Sequence, residues 1–116
     1  MKFKLGCIGF ILFPLFMSSV KAASFPCHQA KSTVEHQICN QRELNDADVK
    51  LATTYQIILH ALPMGGRDAE KDKQFQWLKQ RNRCGAKTLC LRKAYLLRQQ
   101  QLDRILQDRV LSQGPF

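Results

Sequence analysis

Few side chains in this 116-residue chain have the types and spacing that chemistry requires. Glu35, Asp48 and Arg81 could form a recognition or acid–base set, since one guanidinium can hold two carboxylates at once. Each falls on an otherwise apolar helical stripe, however, and a carboxylate placed there needs a partner. The three therefore read as an internal ion pair tying helices together, with Tyr55 and Trp77 as core. His28, His36 and His60 are widely separated and at no metal spacing; a ribonuclease-like use would need two histidines and a lysine converging on one phosphate. Ser32 has no nearby base and reads as a helix cap, and Gly65-Gly66 lacks the surroundings of a phosphate loop. No enzymatic activity, metal or cofactor is expected.

The cysteines carry a different message. Lys2 and Lys4 precede an apolar run from Leu5 to Met17, and Val20-Lys21-Ala22 offers small residues to a signal peptidase, so residues 1–22 read as a cleaved signal peptide. The run is also shorter than the roughly 20 residues of a spanning helix. Cys7 has only six residues before it and most of the apolar region after it, which argues against a lipid-modified cysteine. Cys27, Cys39, Cys84 and Cys90 remain, an even number in an exported chain, and disulfides are the expectation. Their C-x11-C and C-x5-C spacings do not match zinc-binding knuckles. Four cysteines allow three connectivities. The expected one is Cys27–Cys39 with Cys84–Cys90, because Gly85 brings the second pair together at little loop-closure cost.

Charge is unevenly spread. The whole chain carries +9, and leaving out Lys2, Lys4 and Lys21 gives +6. Residues 67–98 hold ten basic side chains against three acidic ones, and no acid occurs from Lys79 to Arg98. Such clustering exceeds an ordinary solvated face and points to an anionic partner. Arg67, Lys79, Arg83, Lys87, Arg92 and Lys93 are the candidate binding residues. Nucleic acid fits the charge but not the export signal, and Trp77 and Tyr95 read as core, not as stacking platforms.

The elements that must position these groups are helices. Residues 23–31 lack periodicity. Ser32 or Thr33 can cap a short helix ending near Cys39-Asn40, with Glu35 favourably placed in its first turn. A second helix runs from Asn45 or Asp46 to Pro63, its stripe formed by Leu51, Ala52, Tyr55, Ile58, Leu59 and Leu62. Asp48 lies on that stripe. Leu62 to Gly66 reads as a turn. A third helix spans Arg67 to Cys84, amphipathic through Phe75, Trp77, Leu78 and Arg81. Gly85 stops it, and Thr88 caps a fourth that runs to Val110 with Leu91, Ala94, Tyr95, Leu102, Ile105 and Leu106 inward. The tail from Ser112 reads as loose. Residues 23–116 are thus expected to form one all-α domain, an antiparallel bundle of about four helices stapled by disulfides. The Cys84–Cys90 corner should lock the fold, with its outer surface meeting the partner.

The series Phe25-x-Cys27, Glu35-x-x-Ile38-Cys39, Asp48-x-x-Leu51-Ala52-x-x-Tyr55, Gln74-x-x-Trp77-Leu78-x-x-Arg81-x-x-Cys84 and a final Cys90 resembles the lysozyme inhibitor LprI N-terminal-domain-like family. Asn82 stands where that family often has an acid, and Ala47 where a leucine is common. The resemblance implies a small exported helical protein of the bacterial envelope, periplasmic or secreted, that inhibits a lysozyme or another peptidoglycan hydrolase. A cation on the Gly65-Gly66-Arg67 turn or the Cys84–Cys90 corner could enter a cleft lined by two carboxylates. The alternative is a basic envelope-binding module for an anionic lipid, a cell-wall polymer or an acidic protein, without hydrolase inhibition.

Overall fold

The computed structural model, which describes residues 23–113, shows how Ser32 opens the first helix. Its Oγ accepts the Glu35 N–H at 3.1 Å, and the Glu35 carboxylate accepts the Ser32 N–H at 3.2 Å. That reciprocal pair satisfies two amides that a helix end leaves without partners. Helix α1, Thr33–Asn40, then buries Val34 and Ile38, one turn apart. The expected leader, Cys7 and the end of the expected tail lie outside the described residues.

Gln41 alone separates α1 from α2, Arg42–Ala61. The second helix starts earlier than the expected Asn45 or Asp46: the Asn45 N–H already bonds the Gln41 carbonyl at 2.9 Å. Asn45 is a buried interior residue, not a cap. Leu44, Leu51 and Ile58 recur at seven-residue spacing and are almost fully enclosed, which fixes the inward face. The helix ends because Leu62 precedes a proline and is driven to ψ 144°.

Helix α3, Met64–Asn82, follows without the expected five-residue turn. Pro63 is its N-cap, and the Arg67 N–H bonds the Pro63 carbonyl at 2.9 Å. Gly65 and Gly66 therefore lie in its first turn, where few intrahelical N–H bonds are yet due. Gly85, at φ 57°, reverses the chain, a conformation that costs other residues steric strain. Helix α4, Thr88–Ile105, continues through a π turn, Leu106–Val110, and a 3-10 turn, Leu111–Gln113. Its N-cap is Lys87, with no side-chain cap. Thr88, expected in that role, instead accepts a 2.8 Å bond from the Gln37 amide and ties α4 to α1.

The fold is all-α, four helices with no strand among the described residues. Helix α2 packs most extensively on α4; α1 lies against α2 and α3 against α4. Phe75, expected inside, is 56% exposed. It lies two residues, about 200° around the helix, from buried Trp77. No helix of the described residues is long and apolar enough to cross a membrane.

Candidate functional site

Two buried polar clusters and one charged corner hold most of the polar chemistry. In the first cluster, α2 supplies Asp48, α3 supplies Arg81 and α4 supplies Tyr95. The Tyr95 hydroxyl donates to Asp48 Oδ1 at 2.7 Å and accepts from Arg81 Nη1 at 3.0 Å. Arg81 Nη1 lies 3.8 Å from Asp48 Oδ1, so the hydroxyl bridges the ion pair. Arg81 Nε and Nη2 donate to Asn82 Oδ1, and the second Asp48 oxygen accepts the Ser24 N–H at 2.8 Å. Trp77 covers the site: its ring meets Tyr95 edge-on at 5.2 Å, lies 5.5 Å from the Arg81 guanidinium, and donates Nε1–H to the Ala94 carbonyl. Burial, with Asp48 alongside, holds the Tyr95 phenol far above its ordinary titration range. With its donors and acceptors directed at one another, this cluster is suited to joining three helices rather than to moving protons.

Glu35 does not join it. Its carboxylate turns back on the Lys31 and Ser32 amides, which hold it below the usual carboxylate range. No ion pair links Glu35 to Arg81 among the described residues. Two adjacent backbone donors were closer than a guanidinium on another helix.

The second cluster has no counterpart in the sequence reading. Arg98 Nη2 donates to Glu70 Oε1 at 2.7 Å, and Nε donates to the Gln74 amide oxygen at 3.0 Å. Arg98 and Glu70 are each 2% exposed. The half-buried phenol of Tyr55 is raised by its own burial and then by Glu70.

The cysteines pair locally, Cys27–Cys39 and Cys84–Cys90, with Cα separations of 5.9 and 5.5 Å. The first pair ties the lead-in turn to the end of α1, and the second closes the α3–α4 corner. Among the described residues no group of three His, Cys, Asp or Glu side chains could hold a metal.

The candidate cations divide into several settings. Arg67 is not a protruding hook: its Nε and Nη2 donate to the Leu59 and Leu62 carbonyls at 2.9 and 3.4 Å, closing the end of α2. Arg92 faces α2 and pairs with Glu43. Lys93 lies on the opposite flank of α4, beside an open groove of about 970 Å³ between α3 and α4. Lys79 sits 4.4 Å over the exposed Phe75 ring. Arg83 and Lys87 flank Gly85 on the corner, both exposed, with no acidic partner among the described residues.

A family model described as "Lysozyme inhibitor LprI" matches residues 27–113. No curated protein and no solved structure matches the chain. The matched span contains both disulfides, all four helices and every side chain of the two buried clusters.

Proposed function

This chain belongs to the lysozyme inhibitor LprI family, and we propose that it inhibits a lysozyme-type peptidoglycan hydrolase outside the cytoplasm by lodging the Cys84–Cys90 corner in that enzyme's cleft. Hydrolases of this class work through two carboxylates flanking the scissile bond. A cation held between them would block substrate without any reaction of its own. Arg83 and Lys87 suit that task, standing on a turn held at one end by α3, at the other by α4, and across its base by a disulfide. Such a turn loses little freedom on docking.

The observation that carries the reading is the family match together with two acid-free, exposed cations on the covalently closed corner. The positive end of the molecule disfavours approach to a strongly basic hydrolase and favours one with an acidic surface around its cleft. Inhibition constants against hydrolases of the animal, goose and phage types provide the test. The Arg83→Glu/Lys87→Glu protein should lose inhibition of whichever enzyme the parent inhibits while keeping its helical circular dichroism. Equal inhibition constants for the two proteins would remove the corner from the mechanism.

A further inference from the structure

Helix α4 turns Leu91, Tyr95, Arg98 and Leu102 to the core, and its opposite side is not the polar surface that such a helix usually shows. Leu89 is 76% exposed, Leu96 58% and Leu97 49%. Lys93 lies among them, one turn from Leu89 and from Leu97. Three acids near this end of the molecule are engaged elsewhere, Asp48 with Arg81, Glu70 with Arg98 and Lys73, Glu43 with Arg92, and Asp72, which lines the same groove as Lys93, forms no ion pair with it. Lys79, Arg83, Lys87 and Lys93 thus keep their charge without an acidic partner among the described residues.

We infer that the outer face of α4, through Leu89, Lys93, Leu96 and Leu97, docks the protein on an anionic phospholipid surface. Leucines side by side with uncompensated cations are what an interfacial helix presents, the apolar groups entering the acyl boundary and the ammonium groups meeting headgroup phosphates. A second copy of the chain is a poor occupant, because a two-fold pairing would set Lys93 near its own equivalent. A protein partner is also less well matched. Protein hot spots are enriched in aromatic and arginine anchors seated in pockets, whereas this face offers exposed leucines, which a fluid bilayer accepts without shape complementarity. The docking is peripheral, and it uses a different face from the Arg83–Lys87 corner.

Vesicle flotation tests it, using the chain from Ala23 onward, which contains both disulfides and every core residue among the described residues. The protein should float with vesicles of phosphatidylglycerol and phosphatidylcholine, stay behind with phosphatidylcholine alone, and lose binding as salt rises. Lys93→Glu reverses one charge and should weaken partition about tenfold. Leu89→Ser/Leu96→Ser should weaken it by about tenfold or more; both positions are solvent-facing, and unchanged circular dichroism checks the fold. Failure to float with the anionic vesicles would overturn the inference, as would flotation that both variants retain. Binding to immobilised polyglutamate that equals vesicle binding and ignores the leucine changes would also overturn it, assigning the face to an acidic protein.

Discussion

Glu70 and Arg98 meet at 2.7 Å with 3% and 2% of their side chains exposed, joining α3 to α4 from within. A buried pair of this kind contributes little net stability, but removing one partner strands a charge in the interior. Glu70→Ala should therefore cost about 3–5 kcal/mol in urea unfolding. The double replacement Glu70→Met/Arg98→Met should recover most of that loss. A single variant as stable as the parent would show that water reaches Arg98.

The Tyr95 hydroxyl completes the Asp48–Arg81 pair, and Tyr95→Phe leaves both ions short of one bond. The expected loss is about 1–3 kcal/mol, measured by chemical denaturation.

The same phenol sets an alkaline limit. Its titration is raised from the ordinary value of 10.0, so in the folded protein it stays protonated while an unfolded chain would ionise. The contribution is complete below about pH 10 and declines as pH rises toward the folded-state value. Tyr55 shifts in the same direction. Unfolding free energy measured from pH 8 to 11 should fall more shallowly in Tyr95→Phe than in the parent; parallel slopes would show that this phenol does not govern the alkaline loss.

Gly85 occupies left-handed backbone with open space around a notional Cβ. Gly85→Ala should therefore cost only conformational strain, about 1 kcal/mol, whereas Gly85→Val should cost more because a branched side chain resists that region. Melting temperatures of the two variants decide the order.

Loss of the α1 capping box should be felt locally. Ser32→Ala is expected to cost about 1 kcal/mol and to speed amide exchange in the first turn of α1 while leaving α4 unaffected. The Glu35 carboxyl is held low by the Lys31 and Ser32 amides. Its contribution is therefore present above the ordinary 4.5 and fades as pH drops through the folded-state value. Glu35→Gln should flatten that acid limb of the stability curve.

Four helices and their order follow from apolar periodicity and turn chemistry, while the cysteine pairing was one of three connectivities open to the sequence, and the local one expected from short loop closure is the one found. The meeting of Asp48 with Arg81 was legible for the same reason, each being a charge on an apolar stripe. Glu70 was hidden among the alternating charges of Asp68 to Lys73, where no apolar pattern marks an inside. Its spacing of seven from Trp77 and eleven from Arg81 was the available signal, and Arg98 similarly sits between Leu91 and Leu102. Two glycines after a proline read as a turn, yet Pro63 had already set the entry angle that starts α3. The sequence pairs Glu35 with a distant arginine because it shows charges readily and folded-back amides poorly. The cationic strip dispersed for a related reason: consecutive Arg92 and Lys93 point to different flanks of one helix.

Among the described residues the covalent cross-links are entirely local. One cystine lies wholly before the Leu62–Pro63 connection and the other wholly after it. A single nick at that connection would yield two polypeptides kept together without a covalent bond, by packing, by the Asp48–Arg81–Tyr95 cluster and by polar contacts such as Glu43–Arg92 and Gln37–Thr88. They would part in urea on a non-reducing gel, so thiol oxidation guards each half of this protein against fraying but gives no insurance against being cut in two.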